Sequence, residues 1–281
     1  MLKIAIPADD PRSEARIRAH YEVERELAQR LRDASKPERR VLYTQLYDAL
    51  YRELPDHPQL TNASLSERSA EIARIVSRLA PFLSSTSVFL EIGPGDCGLS
   101  FALARRCAYV HAVDVSDGVC DVAAQPPNFA LHLSDGTSIP LPDESVDLAF
   151  SDQLMEHLHP DDARDQLREI RRVLRPGGIY VCITPNRLSG PHDVSRFFSD
   201  VAQGFHIREY TARELGALMR EIGFRRVDAA VPVRGRLVRA PLAPFAALET
   251  ALAALPAAAQ RALGRSAALR GVLGIRVIAA K

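Results

Sequence analysis

The sequence predicts an α/β protein with a doubly wound, mostly parallel sheet of seven strands and a helical extension at its N-terminus. From about residue 87 onward, short runs rich in β-branched residues alternate with runs of helical spacing. That order requires right-handed crossovers between parallel strands. Residues 1–86 show only helical spacing of their apolar side chains. We therefore expect an N-terminal helical extension, or lid, over 1–86 and one larger domain over 87–281.

The individual elements follow from the spacing of apolar residues and from the glycine and proline residues between them. Three helical runs fall in the extension, over 17–27, 41–50 and 65–83. In the larger domain, the predicted helices cover 99–106, 116–124, 161–174 and 211–222, and a helical insertion covers about 241–268. The predicted strands cover 87–92, 109–114, 129–133, 146–151, 178–184, 226–233 and 272–279.

The composition limits the classes of protein to which the chain can belong. Of its 281 residues, 47% are hydrophobic and 25% are charged, as in ordinary globular proteins. No apolar run approaches the roughly 18 residues of a membrane span, and the first residues do not form a signal peptide. We therefore expect a cytoplasmic protein without stable membrane insertion. The net charge of +1 gives no support for nucleic-acid binding.

A glycine loop after the first strand predicts a cofactor site. Gly93, Gly95 and Gly98 lie where the strand passes into a helix, so a ligand can approach the backbone and the free N–H groups of the helix start. Glu91 precedes the loop and Asp96 lies within it. These carboxylates would repel the pyrophosphate of a dinucleotide, but they attract a ligand that carries a sulfonium and an ammonium group.

Acidic residues at two further strand ends predict contacts to an adenosine. Asp114 ends the second strand and fits the carboxylate that accepts hydrogen bonds from ribose hydroxyls. Asp135 follows the third strand and suits the exocyclic amine of adenine. Each has an alternative, since Asp114 could cap a helix and Asp135 could be a turn aspartate before a glycine.

Together these motifs resemble those of class I S-adenosylmethionine (SAM)-dependent methyltransferases. The likeness rests on residues 91–95, 112–116, 134–136, 139–148, 151–158 and 174–178. One position departs from the family pattern, since Cys97 stands where a third glycine is common. The resemblance implies a Rossmann-like fold with an antiparallel C-terminal strand, and SAM as the cofactor. It implies that SAM is bound by Glu91, Gly93, Gly95, Asp96, Asp114, Val115, Ser134, Asp135, Gly136, Ser151 and Gln153.

Two histidines are the candidates for chemistry on the methyl acceptor. The resemblance places His157 near the reacting methyl group, and the near-neutral pKa of an ordinary histidine suits a general base. His206 is the second candidate. Both could instead be structural groups at helix starts. A metal site over 156–162 is not favoured, because its residues alternate in orientation or precede a helix start at Pro160, and we expect no metal.

The predicted function is methyl transfer from SAM to the oxygen or nitrogen of a small-molecule or glycan-type acceptor. Arg187, Arg196 and the basic run 234–239 would bind an anionic acceptor, or they are solvated surface arginines. A homodimer is compatible with the sequence. Two other functions remain. One alternative is a nicotinamide-dependent oxidoreductase, but Glu91 and the lack of a catalytic Tyr/Lys pair argue against it. The other alternative is a non-catalytic SAM-binding scaffold.

Overall fold

The computed structural model describes residues 2–8, 10–57, 65–120 and 124–281. Within these ranges, three helices come first, namely α1 (Glu14–Asp33), α2 (Lys36–Glu53) and α3 (Leu65–Leu79). The starts of α1 and α2 are encoded locally. The side chain of Ser13 accepts a hydrogen bond from the first turn of α1, and the Glu38 carboxylate accepts one from the N–H of Ser35 at 2.8 Å.

Eight strands are seen within the described ranges. They are β1 (Val88–Ile92), β2 (Tyr109–Asp114), β3 (Phe129–Leu133), β4 (Val146–Asp152), β5 (Leu174–Thr184), β6 (Arg226–Val233), β7 (Arg236–Ala240) and β8 (Ile275–Ala280). The later helices are α4 (Gly98–Ala104), α5 (Pro160–Val173), α6 (Ala212–Ile222), α7 (Ala243–Ala253), α8 (Ala257–Gly264) and α9 (Ala267–Leu273). Of the last three, α7 and α8 lie within the predicted insertion, whereas α9 begins at its end and extends into the residues predicted as the start of the last strand.

The strands form one sheet in the order β3-β2-β1-β4-β5-β8-β6-β7. The first five strands of this order are parallel, and β8 runs antiparallel between β5 and β6. Most residues of the central strands β1, β4 and β5 are buried, because hydrophobic clusters cover both faces of the sheet. The chain reverses its direction of winding between β1 and β4, and the carboxyl ends of these strands form the crevice in which open α/β sheets bind ligands.

The fold confirms the doubly wound sheet and the antiparallel C-terminal strand, but it corrects the number of strands. An eighth strand, β7, pairs antiparallel with β6 at the edge of the sheet. Arg234 and Gly235 link the two strands with φ values of +48° and +80°. Two consecutive positive φ angles are typical of the tight turns that match the twist of a hairpin. From the sequence, the run 234–239 was interpreted as an anion-binding or solvated basic segment, and no turn or strand was predicted within it.

A second correction concerns the segment after β2. The predicted helix over 116–124 does not form over residues 116–120, which make turns, and residues 121–123 lie outside the described residues.

The N-terminal helices pack on the sheet, and one hydrophobic cluster includes Leu27 and Leu46 together with Leu90 of β1. In the described ranges, no helix combines the length and the apolar character that crossing a bilayer demands.

Candidate cofactor and acceptor site

The glycine loop joins β1 to α4 at the carboxyl edge of the sheet. Gly93 and Gly95 have φ values of +69° and +55°, which glycine adopts without steric cost. The N–H of Gly93 donates to the carbonyl of Val113 at 2.9 Å and holds the loop against β2. Cys97 also has a positive φ of +60°. The position where a third glycine is common therefore keeps a glycine-like backbone.

A cavity of about 140 Å³, here called the cofactor cavity, lies beside this loop. Seven of the eleven predicted cofactor residues line it, namely Gly93, Gly95, Asp114, Val115, Ser134, Gly136 and Gln153. The Asp114 carboxylate accepts hydrogen bonds from the N–H groups of Val115 at 2.7 Å and of Gly95 at 3.4 Å. These bonds hold the carboxylate at the wall of the cavity, between the glycine loop and the end of β2.

The other four predicted cofactor residues do not line the cofactor cavity. Three of them bind neighbouring protein groups: Asp96 accepts from Arg68 at 2.6 and 2.8 Å, Asp135 accepts from the N–H groups of Thr137 and Ser138 at 2.9 and 2.8 Å, and Ser151 bonds the Tyr180 hydroxyl at 2.6 Å. Asp135 therefore makes the contacts of a turn aspartate, which was the alternative to its predicted role at the adenine. Asp96 and Asp135 thus stabilise loops beside the cavity, whereas Ser151 links β4 to β5.

The fourth, Glu91, is buried beneath the glycine loop. Its exposed fraction is 6%, and one carboxylate oxygen accepts a hydrogen bond from the Ser100 hydroxyl at 2.5 Å. Burial raises the pKa of Glu91 to about 8 in spite of this hydrogen bond. A cation in the neighbouring cavity would favour the ionised carboxylate and lower that pKa. Glu91 does not line the cavity, so it would act on a ligand there only through the field of its charge.

Three tyrosines of the N-terminal extension complete the cofactor cavity. Tyr43, Tyr47 and Tyr51 project from one face of α2 and line it opposite the glycine loop residues named above. Sequence reasoning missed this contribution, although spacing by four residues places side chains on one face of a helix. The contact with the loop after β3 is close. A Cβ atom at Gly136 would lie 2.8 Å from the ring of Tyr43.

A larger cavity of about 550 Å³, here called the acceptor cavity, adjoins the cofactor cavity. Tyr47, Gln153 and His157 line both. The volume lies in the range of small-molecule binding pockets. The further lining is rich in groups that form hydrogen bonds, namely Asp10, Arg12, His20, Glu24, His57, His192, Asp193, Arg196 and His206. The two cavities meet where the resemblance places the reacting methyl group.

The two histidines predicted for acceptor chemistry lie together, with their rings 5.0 Å apart and nearly perpendicular. The Nδ1 of His157 lies 3.1 Å from the carbonyl oxygen of Phe205. A carbonyl only accepts, so Nδ1 carries the hydrogen and Nε2 keeps its lone pair. Burial, together with the charge of His206, lowers the pKa of His157 to about 3. His157 is therefore a neutral imidazole with one free acceptor nitrogen.

His206 is the charged member of the pair, and two glutamates surround it. Its Nδ1 bonds the Glu209 carboxylate at 2.7 Å. Burial lowers the pKa of His206, but Glu209 and the nearby Glu156 raise it to about 9 overall. Glu156 is fully buried, and burial raises its pKa to about 7. One of its oxygens accepts from the Thr184 hydroxyl at 2.8 Å, and the other has no hydrogen-bond partner among the described residues.

A second polar cluster, His20, Glu24 and His57, lies in the wall of the acceptor cavity formed by the N-terminal extension. His20 donates from Nε2 to the Glu24 carboxylate at 2.6 Å, because its Nδ1 accepts from the Arg12 guanidinium at 2.7 Å. The other Glu24 oxygen accepts from the N–H of Phe205 at 3.2 Å. Both carboxylate oxygens thus accept hydrogen bonds. Burial alone would raise the pKa of Glu24, but these hydrogen bonds hold the pKa well below its usual value.

Most of the arginines predicted for an anionic acceptor are not in the acceptor cavity. Arg187 bonds Glu214 at 2.8 Å on the surface, and the run 234–239 belongs to the β6–β7 hairpin at the far edge of the sheet. Of the predicted set, Arg196 lines the cavity. Arg12 lines it as well, but it already bonds Asp10 and His20. The lining thus offers paired charges and histidines and not an unpaired cluster of cations.

Comparison with known proteins agrees with this geometry. Residues 90–182 match the family described as methyltransferase domain. The chain is 32% identical over 185 residues to a Mycolicibacterium smegmatis protein named "Probable S-adenosylmethionine-dependent methyltransferase", and the match covers 64% of this chain and 69% of that protein. A Mycobacterium tuberculosis protein of the same name is 35% identical over 158 residues, which cover 56% of this chain and 54% of that protein.

Solved structures show the same fold. Phosphoethanolamine N-methyltransferase 1 of Haemonchus contortus superposes with a TM-score of 0.53 at 17% identity, covering 70% of this chain and 44% of that chain. The chain spans only about half the length of the M. tuberculosis relative. The M. smegmatis match covers more than two thirds of that protein's length. The chain therefore belongs to the class I SAM-dependent methyltransferases.

Proposed function

We propose that this protein transfers a methyl group from SAM to a small, hydroxyl-rich acceptor of the glycan type. The observation that carries the proposal is the meeting of the two cavities at Tyr47, Gln153 and His157. SAM in the cofactor cavity would direct its sulfonium methyl toward this junction, and an acceptor in the larger cavity would approach it from the other side. The paired charges and histidines of the lining suit many hydroxyl groups better than a single anionic group.

The reaction is a direct displacement, in which the bond from acceptor oxygen to carbon forms while the bond from carbon to sulfur breaks. Alignment of the two reactants supplies roughly 7–11 kcal/mol in such reactions. The three tyrosines of α2 would exclude water from the reacting groups. The N-terminal extension is in this proposal the lid that the sequence predicts, since α2 forms a wall of both cavities.

An acceptor hydroxyl must also lose its proton. His157 offers Nε2 as a hydrogen-bond acceptor at the junction, but its lowered pKa makes it a weak general base near neutral pH. We therefore assign His157 the role of orienting the acceptor hydroxyl. The positive charge of His206 would favour the deprotonated acceptor, whose proton would pass to solvent through the acceptor cavity. His157 and His206 act in this proposal as a pair, and neither works as an isolated base.

The cofactor is tested by calorimetry with SAM and, separately, with NAD. The proposal expects micromolar SAM binding and no NAD binding, whereas NAD binding without SAM binding would establish the oxidoreductase alternative. Asp114→Ala should weaken SAM binding by at least about tenfold, because a charged acceptor of ribose hydroxyls contributes about 1.5–3 kcal/mol and about 1.4 kcal/mol corresponds to a tenfold change. Asp117→Ala is the matched control, since Asp117 is exposed and lies outside the cavity lining.

The acceptor is tested by measuring S-adenosylhomocysteine release with a panel of sugars and sugar phosphates. Turnover with neutral sugars supports the proposal. Turnover with phosphorylated or carboxylated acceptors alone would show that Arg12 and Arg196 exchange their protein partners for the acceptor. An absence of turnover with every member, together with SAM binding, would favour the scaffold alternative.

A further inference from the structure

We propose that Glu156, His157 and His206 form a binding site for a divalent transition-metal ion such as Zn²⁺ in the wall of the acceptor cavity. One potential ligand atom of each side chain lies within 4.8 Å of those of the other two. His157 and His206 both line the acceptor cavity. The sequence does not reveal this grouping, because His206 comes 49 residues after His157 and only the fold brings them together.

The Glu156 carboxylate provides the first argument. It is 0% exposed, and its Oε2 accepts from the Thr184 hydroxyl at 2.8 Å. Its Oε1 is buried and has no partner among the described residues. An unpaired buried oxygen of a carboxylate is costly, and native proteins satisfy such groups with a protein, solvent or metal partner. A cation held between Glu156 and the two imidazoles would satisfy Oε1.

The orientation of the two imidazoles provides the second argument. Each uses Nδ1 for a bond within the protein, His157 to the carbonyl oxygen of Phe205 at 3.1 Å and His206 to the Glu209 carboxylate at 2.7 Å. Carbonyls and carboxylates at this position are the usual outer partners of histidines that bind metals, because they fix the tautomer and leave Nε2 as the ligand atom. A metal ion would take the place of the proton that His206 otherwise holds on Nε2.

The cluster of His20, Glu24 and His57 is similar in composition but is not built for a metal. Its three ligand atoms also lie within 4.8 Å of one another. However, Arg12 donates to Nδ1 of His20, which leaves the hydrogen of His20 on Nε2, the atom that faces Glu24. Both oxygens of Glu24 already accept hydrogen bonds. A metal there would have to displace a complete set of hydrogen bonds.

Two imidazoles and one carboxylate suit Zn²⁺ and its first-row neighbours better than Mg²⁺ or Ca²⁺, which prefer ligand sets of oxygen. Three protein ligands leave a coordination position for the acceptor. This role rests on the proposed function, but it reassigns the pair: Nε2 of His157 and Nε2 of His206 would bind the metal, and the metal ion would orient the acceptor hydroxyl in place of the two histidines. The metal would bind the acceptor hydroxyl and lower its pKa, so that its proton passes to solvent. The resulting alkoxide takes the methyl group from the sulfonium, and S-adenosylhomocysteine leaves as a neutral sulfide.

The experiment measures metal binding without SAM and without an acceptor, so it does not depend on catalysis. The purified protein is stripped with a chelator and titrated with Zn²⁺ by calorimetry, and with Co²⁺ by its visible absorption. We expect one ion per chain in the wild type. Glu156→Gln and His206→Gln should each weaken binding at least tenfold, while His20→Gln, in the other cluster, should stay within about twofold of the wild type.

The possible results are distinct. No binding by the wild type, or binding that His20→Gln abolishes and Glu156→Gln leaves intact, would overturn the proposal. If the Glu156 and His206 variants fail to fold, X-ray absorption of the cobalt complex of His20→Gln decides the question. Two imidazole ligands on the cobalt support the site, and a cobalt ion without imidazole ligands refutes it. SAM titration of the same preparations shows separately whether the cofactor proposal holds.

Discussion

An ion pair between Arg39 of α2 and Asp162 of α5 fastens the N-terminal extension over the site. The guanidinium donates to both carboxylate oxygens, at 2.6 and 2.9 Å, and the side chains are 4% and 1% exposed. The hydroxyl of Tyr43, the tyrosine that touches the Gly136 turn, donates to the same carboxylate at 2.9 Å. The pair thus positions the face of α2 that lines the cofactor cavity.

Arg39→Met should lower the free energy of unfolding by about 3–5 kcal/mol, because it leaves the Asp162 carboxylate buried without its countercharge. At 1.4 kcal/mol per tenfold change, this reduces the ratio of folded to unfolded protein by roughly two to three and a half orders of magnitude. The double variant Arg39→Met/Asp162→Leu should recover most of the loss, because it removes both buried charges and keeps apolar volume in their place.

Urea denaturation followed by circular dichroism at pH 7 measures these differences. Arg16→Met is the matched control. It breaks the ion pair between Arg16 and Asp56 of the same extension, whose side chains are 57% and 36% exposed. This substitution should lower the free energy of unfolding by no more than about 1 kcal/mol. A loss for Arg39→Met as small as that of Arg16→Met would refute the reasoning. It would show that the extension is not held to the domain through this pair.

Two further predictions concern the cofactor cavity. Since the pKa of Glu91 is about 8 without ligand and a cationic ligand favours ionisation, SAM binding below pH 8 should release protons and tighten as the pH rises toward 8. Calorimetry in buffers of different ionisation enthalpy measures the number of protons released on SAM binding. Glu91→Gln should abolish this proton release. An unchanged proton release in that variant would contradict the role of Glu91. Gly136→Ala should cost about 1–3 kcal/mol more than Gly177→Ala in urea denaturation, because both positions have positive φ but only the first would press its Cβ against Tyr43. Equal costs would show that the contact with Tyr43 yields freely.

The strands of the sheet could be predicted because their signal is local. The predicted bounds of β2, β3 and β6 agree with the structure, since each of these strands is a short run rich in apolar residues between turn residues. The hairpin strand β7 was missed because its turn residues, Arg234 and Gly235, lie within a run of arginines. The predicted helix over 116–124 failed over 116–120, where Asp114 and the Ser116 side chain accept backbone hydrogen bonds that favour turns.

The residues that line the cofactor cavity could be predicted only in part, because the sequence does not show the long-range partners of each side chain. Residues at strand ends and in glycine turns, such as Gly93 and Asp114, do line the cavity. Asp96 and Asp135 carry the same kind of charge at similar positions, but they bind Arg68 and their own turn. A sequence shows where a carboxylate stands along a strand, and it does not show which neighbouring group satisfies it.

The acceptor side depends almost entirely on long-range contacts. The acceptor cavity combines residues of the N-terminal extension, such as His20, with residues near β4 and before α6, such as His157 and His206. The roles of His157 and His206 in acceptor chemistry stay predictions, and their pairing was not foreseen. Burial lowers the pKa of His157, whereas Glu209 and Glu156 raise the pKa of His206 in spite of its burial. No spacing along the chain specifies those neighbours.

The most direct test of this account is a crystal structure of the protein with S-adenosylhomocysteine. We predict that the ribose hydroxyls donate to Asp114 and that the sulfur lies at the junction formed by Tyr47, Gln153 and His157, facing the acceptor cavity. A ligand bound elsewhere, or one whose sulfur faces away from that junction, would contradict the central claim that the two cavities meet at the point of methyl transfer.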